Sequence, residues 1–385
     1  MDRPRLLRKE EFGSLLRLMD TVFPSSAPFA EKQDHLFTGR EQDLKQHIVF
    51  EKNGEIVSHL GLFTREICIG SSVVKAGGVG SVATYEKYRG QGFMNRMFAA
   101  AFEIMKHEEY DISVLGGDRK RYNTFGYEQG GRRLAFLVTD RFVKGMSFEG
   151  LSVRKYAGDS ADLEALMAIH EREYFKTRRD GHFYDKLYKQ SYKETFFAVE
   201  GGRVVSYITL VKECEPKDVL AWVYEYGGDA SGFTFLLQHI FARKGVGRMN
   251  IVAPIVEHAL TGVLYEVSNN WYTEPNRIMK IVNLKSLLGK YTAHMELARR
   301  RRGAETSGSV TLVMGGGQTA TLEIGTRVTV SDRRTQNVLE LSDLGMVRLV
   351  FGLIGPSEAF ELKKEQLVLD TVFPLDSFMW LTDTV

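Results

Sequence analysis

The chain has 385 residues, of which 43% are hydrophobic and 26% charged, so it has apolar material for packed cores and a length that points to two or three domains. A formal net charge of +2 argues against a general electrostatic partner such as nucleic acid. There is no apolar run of the roughly eighteen residues a membrane span needs and no secretory stretch at the N-terminus, so no membrane association is expected and the chain is read as cytoplasmic.

From residue 1 to about 140, amphipathic helix and strand alternate. Phe12, Leu15, Leu16, Leu18 and Met19 fall at helical spacing. Residues 48–50 and 56–69 read as strands around the turn Asn53-Gly54. Next comes a strand ending in Val82-Ala83-Thr84, then Tyr85-Glu86-Lys87-Tyr88-Arg89-Gly90-Gln91-Gly92, then a helix over 93–108. That helix carries Phe93, Met94, Met97, Phe98, Ala101, Phe102 and Met105 on one face. From about 151 to 288 the same order returns, with a helix over 162–172, strands at 195–199 and 204–211 around Gly201-Gly202, and a helix starting at Phe233. From about 303 strands come first, with a hairpin of 309–314 and 319–324 around Gly315-Gly316-Gly317-Gln318 and a strand at 327–331. A helix over 341–351 follows, which reads as a separate α+β domain.

The glycine loop carries the chemistry. Gly90 and Gly92 have no Cβ, so the backbone can turn sharply and approach a bulky anion with its N–H groups, and Arg89 adds a fixed positive charge. The first turn of the following helix leaves N–H groups unpartnered at the positive end of the helix dipole, which suits phosphate oxygens. The spacing is neither G-x-G-x-x-G nor G-x-x-x-x-G-K-[ST], which argues against the dinucleotide and nucleoside-triphosphate folds.

The segment resembles the Arg-x-x-Gly-x-Gly/Ala loop of the GCN5-related N-acetyltransferases (the GNAT superfamily). Arg89, Gly92 and the preceding strand match, whereas Met94 stands where the last small residue is usual. Tyr122-Asn123-Thr124-Phe125-Gly126-Tyr127 resembles the Tyr-x-x-Phe-Gly-Tyr element of the Eis-like (enhanced intracellular survival) branch. The ending, 369–374 through Phe378-Met379-Trp380, resembles the sterol-carrier-like domain that closes those proteins.

The resemblance implies an α/β (α+β) fold of two tandem GNAT-like modules with mixed central sheets and a small sterol-carrier-like α+β domain, bounded at 1–150, 151–290 and 291–385. It implies acetyl-CoA as co-substrate, held by Val82, Ala83, Thr84, Arg89, Gly90, Gln91, Gly92, Phe93 and Met94. The acetyl group would pass to a primary amine of a small molecule, whether aminoglycoside-like, polyamine-like or a lysine. In that reading Tyr122 is the general acid that reprotonates the thiolate, and the carboxylate of Val385 is the base. Asp20 and Phe23 lie where such enzymes gather the amine, and a homo-oligomer is expected. The middle module has no cationic glycine loop between Val223 and Val246, so it reads as a fold duplicate that has lost its cofactor.

Other features read more plainly. Cys68 and Cys214 lack paired metal-ligand spacing and are expected to be buried thiols, and the nine histidines form no metal motif, so no metal is expected. Tyr127 reads as a core aromatic. Arg299-Arg300-Arg301-Arg302 reads as a solvated linker or an inter-domain salt-bridge strip, and Arg119, Lys120 and Arg121 as cations for a cofactor phosphate or for water. The competing reading is a non-catalytic acyl-CoA sensor or lipid-binding protein, which would keep the glycine loop but need no Tyr122.

Overall fold

The structure, a computed structural model, describes residues 3–190, 192–213, 220–243, 246–256 and 258–384. Contacts divide the chain into two compact units: residues 3–131, Pro275–Ser377 and residue 384 form the first, and Arg132–Glu274 with Phe378–Asp383 the second. Among the described residues no helix is long and apolar enough to cross a membrane.

In the first unit the strands lie in the order Arg5–Leu6, His47–Lys52, Glu55–Ile69, Ser72–Thr84, Ile112–Leu115 and residues 278–281. The turn between the second and third is tight because Asn53 and Gly54 both take positive φ, 53° and 78°. Ser72–Thr84 and Ile112–Leu115 are parallel, which requires a crossover, and the helix Phe93–His107 supplies it. Phe93, Met97, Phe98, Ala101 and Met105 are buried from that helix against Ile48, Phe50, Val57, Leu60, Leu62 and Val79. Each large side chain removed from water there contributes about 1.5–3 kcal/mol, which anchors the start of the helix and so the loop before it. Cys68 is buried as expected, and Cys214 lies outside the described residues.

The expected hairpin near the end of the chain is formed by Gly308–Met314 and Thr319–Ile324 in a four-stranded sheet, followed by the helix Asp343–Phe351. These residues belong to the first unit. Asp111 is one tie, accepting from Lys75 N–H at 2.7 Å, from Ser286 Oγ at 2.6 Å and from Lys290. The arginine run is not a linker: it closes the helix Thr292–Arg301, and Arg299 is buried, donating to Thr371 Oγ1 at 2.5 Å and to the Thr306 carbonyl at 2.7 Å. Arg302 donates to the Asp370 carbonyl at 2.8 Å. Cations at a helix C-terminus favour its exposed carbonyls, and here they also satisfy carbonyls of the segments packed on that end.

In the second unit the strand order is residues 133–139, Arg248–Pro254, Leu220–Gly228, Arg203–Glu213, Lys193–Glu200 and Leu151–Lys155. Antiparallel hairpin, strand, helix Ala230–Ala242 and parallel strand repeat the order of the first unit. One difference is chemical. Gly228 passes directly through Asp229 into the helix, and the Asp229 carboxylate accepts the Gly232 N–H at 2.7 Å, so the chain's own negative charge caps the helix start.

The core of this unit holds a knot of charge. Arg179 and Glu225 have fully buried side chains and pair at 2.7 Å, and Arg179 also pairs with the buried Asp383 at 2.7 Å. Arg179 donates further to Thr382 Oγ1 and Tyr188 Oη, both at 2.9 Å, while Glu225 accepts from Tyr188 and Tyr207, each at 2.6 Å, and from Thr382. Burial pushes the Glu225 carboxyl up, but the Arg179 guanidinium outweighs it and holds Glu225 well below the carboxylate range. The tail Phe378–Asp383 is thereby fixed in the unit, with Trp380 edge-on to Tyr226 at 5.0 Å.

Candidate active site

The groove strand Ser72–Thr84 opens away from one neighbour. Its parallel ladder with Ile112–Leu115 ends at Val79 opposite Leu115, while the strand runs on to Thr84 paired only with Glu55–Ile69. On that side the register passes from His59 opposite Ala83 to Gly61 opposite Gly80, so the groove strand carries one extra residue, a bulge that includes Ser81 at φ 52°. Tyr85 N–H donates to the Val57 carbonyl at 3.1 Å. Because successive residues of a strand alternate, the N–H groups of Val82 and Thr84 turn to the open side.

A cavity of about 620 Å³ fills this opening, lined by Val22, Phe23, Val82, Ala83, Thr84, Tyr88, Arg89, Gly90, Gly92, Phe93, Met94, Arg121 and Tyr122. Of the expected cofactor contacts only Gln91 stays outside the lining, where its Oε1 accepts from Lys52 at 2.9 Å. Gly92 is the N-cap of the helix Phe93–His107 at φ 75°, a conformation that costs an L side chain about 1–2 kcal/mol, and the space ahead of it is open. Gly92→Val should therefore lower the melting temperature through that backbone strain, and its side chain, set in the open space ahead of the helix, should raise the KM for acetyl-CoA at least about tenfold; thermal unfolding and steady-state kinetics at fixed amine check the two effects. Among the described residues Arg89 has no ion-pair partner, so its charge is available to an anion in the cavity. Of the neighbouring cations, Arg119 is committed to Glu128 and Arg121 lines the cavity.

Tyr122 lies on the short helix Arg119–Asn123, started by the Asp118 side chain, which accepts the Lys120 N–H at 2.9 Å. Its ring packs on Phe98 at 5.9 Å and Tyr127 at 6.4 Å. Burial pushes the phenol above its ordinary value, with Arg121 pulling the other way, so Tyr122 is protonated at neutral pH and able to donate. Tyr127 is fully buried, and its hydroxyl lies 2.7 Å from Ser113 Oγ, which itself donates to the Gly77 carbonyl; Tyr127 is a core residue. Phe23 lines the cavity and stacks on Phe29 at 5.4 Å, whereas Asp20 is turned away, its Oδ1 accepting the Phe29 N–H at 2.8 Å. Val385 lies outside the described residues.

Sequence spacing missed a buried pair of histidines beside the bulge. His47 Nδ1 and His59 Nε2 are 3.1 Å apart, and His59 Nδ1 lies 2.8 Å from the Ser81 carbonyl. Burial pushes His47 down to about 4 and His59 to about 3, so both are neutral in the folded protein at neutral pH. An unfolded chain binds protons on them from about pH 6.5 downward, while the folded one resists until about 4. Stability should thus be full above pH 6.5 and fall as pH drops toward 4, by about 3 kcal/mol for His47 alone. Urea unfolding across that window tests this, and His47→Gln should show a shallower decline than wild type.

Among the described residues, His170, Glu225 and Asp383 offer three ligand atoms within 4.8 Å of one another, but the Arg179 guanidinium already occupies both carboxylates.

Residues 3–130 match the acetyltransferase (GNAT) domain family. The matched residues all lie in the first unit. Domains of this kind transfer an acyl group from acetyl-CoA to an amine, and the cavity built on the glycine loop lies within the matched residues. The whole fold is similar to that of a probable N-acyltransferase from Enterococcus faecalis V583, with a TM-score of 0.75 at 14% identity and full coverage of both chains. A GCN5-related N-acetyltransferase from Anabaena variabilis aligns with a TM-score of 0.71 at 15% identity, and Eis1 from Mycobacterium abscessus with 0.67 at 10%, each over the full length of both chains. No curated protein matches the sequence.

Proposed function

We propose that the chain is an acetyl-CoA-dependent N-acetyltransferase of the Eis-like type, acting on a primary amine of a small molecule. The observation that carries this reading is one cavity lined together by the open edge at Val82 and Thr84, the cationic glycine loop and Tyr122. In that cavity Arg89 and the N–H groups at the start of Phe93–His107 would hold the pyrophosphate, and the N–H groups of Val82 and Thr84 would hold the pantetheine arm and the thioester carbonyl. The amine attacks the thioester carbon, the thiolate departs, and the Tyr122 phenol returns a proton to it. The resemblance alone names the Val385 carboxylate as the base. Phe23 and Val22, which line the same cavity, offer an aromatic and an apolar surface on which the body of the amine can pack. The tail is read with the same family as a sterol-carrier-like domain following two GNAT-like modules.

The test is release of free thiol from acetyl-CoA, followed with an untagged chain and a panel comprising a polyamine, an aminoglycoside and a lysine peptide. Amine-dependent release with saturation in one member supports the reading and names the substrate class. Binding of acetyl-CoA with no turnover of any amine would instead favour an acyl-CoA sensor.

A further inference from the structure

The residue at the crest of the bulge, Ser81, is a serine at φ 52°, a left-handed backbone conformation that is strained for any residue but glycine and persists only where neighbours hold it. The neighbours are two consecutive side chains of the adjoining strand. His59 Nδ1 reaches the Ser81 carbonyl at 2.8 Å, and Ser58 Oγ donates to the Ala83 carbonyl at 2.9 Å with Thr84 Oγ1 also 2.9 Å away. A carbonyl can only accept, so the hydrogen of the neutral His59 ring is on Nδ1. Its Nε2 is then bare and lies 3.1 Å from His47 Nδ1, while the His47 ring also meets the Leu36 carbonyl, so the two rings form a chain between two backbone carbonyls. Both rings are buried, and Phe37 packs on each, 4.8 Å from His47 and 5.8 Å from His59. An uncharged, ring-shaped donor braced from behind is more than a β-strand core position requires, and it acts on the one peptide whose conformation opens the groove.

We infer that His59, braced by the His47 ring, is a positioning residue for acyl transfer: it holds the Ser81 carbonyl in the bulge and so aims the N–H groups of Val82 and Thr84 at the acyl-CoA chain. The inference rests on the reading of the cavity as the acetyl-CoA site. Without the donor the strand can relax toward regular pairing. A one-residue change of register inverts which amides face the opening, because strand alternation has a period of two.

Three substitutions separate this from mere packing. His59→Asn keeps an N–H close to the position of Nδ1, His59→Gln places its amide nearer the position of Nε2, and His59→Leu keeps bulk without a donor. Acetyl-CoA affinity by calorimetry and kcat with a saturating amine are the readouts, with melting temperature as the control for folding. The expected pattern is at least about tenfold loss in the Leu and Gln variants, the scale for one misplaced transition-state donor, and recovery to within about threefold in the Asn variant. Leu at wild-type affinity and rate, or Asn as damaged as Leu, would overturn the inference. Should Leu or Gln be too unstable to assay, protection of the Val82 and Thr84 amides against hydrogen exchange, compared between Asn and wild type with and without acetyl-CoA, decides the same point: unchanged, ligand-dependent protection supports it and its absence in wild type refutes it. A wild-type chain that binds acetyl-CoA yet acetylates no amine sinks the reaction reading alone, since the affinities of the three variants are read without any amine.

Discussion

Arg179→Met should cost the protein about 3–5 kcal/mol, the largest stability effect expected of any single substitution here, read as a drop in the urea midpoint and melting temperature. The reason is what remains rather than what is removed. Glu225 and Asp383 are both fully buried, and Arg179 is the cation that touches both. Tyr188 and Tyr207 would still donate to Glu225, which softens but does not cancel the cost of an unpaired carboxylate. The same logic predicts a rescue: Arg179→Met combined with Glu225→Gln and Asp383→Asn should recover more than half of the loss, because a neutral cluster of similar volume has no charge to leave unpaired. A single variant within about 1 kcal/mol of wild type would show that the knot is not what holds the tail.

The second large effect is on rate. Tyr122→Phe should lower kcat at least about tenfold, and by up to the hundredfold or more that a positioned proton donor supplies, while the KM for acetyl-CoA stays within about threefold. The ring contacts with Phe98 and Tyr127 survive in phenylalanine, so the fold should be unaffected. The pH profile carries a second signature. Burial raises the phenol, so the acid limb of the wild-type profile is not set by Tyr122, and its loss should depress the rate across neutral pH rather than shift an optimum. An unchanged kcat would return Tyr122 to the core aromatics.

The parts legible in the sequence were those in which local chemistry and local geometry coincide. Gly90 and Gly92 announced a turn that only they adopt cheaply, and Phe93, Met97, Ala101 and Met105 announced a helix face, which together placed the groove. The short helices Phe29–Lys32 and Glu41–Leu44 left no periodic signal because four residues complete only one turn. The His47–His59 pair was recoverable in principle. The turn Asn53-Gly54 folds the two strands together, but a bulge at Phe50 and Glu51 shifts the register so that His47 faces Gly61 and His59 faces Val49, a diagonal pair that simple counting from the turn misses. Arg179 and Asp383 are separated by 204 residues, and no spacing rule reaches that far. The arginine run misled for a related reason, since a cluster of charge reads as solvated until the carbonyls it will meet, at Thr306, Asp370 and Phe373, are brought to it by the fold.

The assignment of Phe378–Asp383 to the second unit bears on how the protein can be made. During synthesis the ribosome finishes Arg132–Glu274 about a hundred residues before it supplies the last pieces of that unit's core, so an emerging chain holds Arg179 and Glu225 with no Asp383 and an aromatic slot beside Tyr226 with no Trp380. Folding of the middle of the chain therefore waits for residues 378–383 and does not follow the order of translation. A fragment cut at Glu274 should be obtained only as a partly folded, aggregation-prone species, and supplying the terminal peptide in trans is the way to complete it.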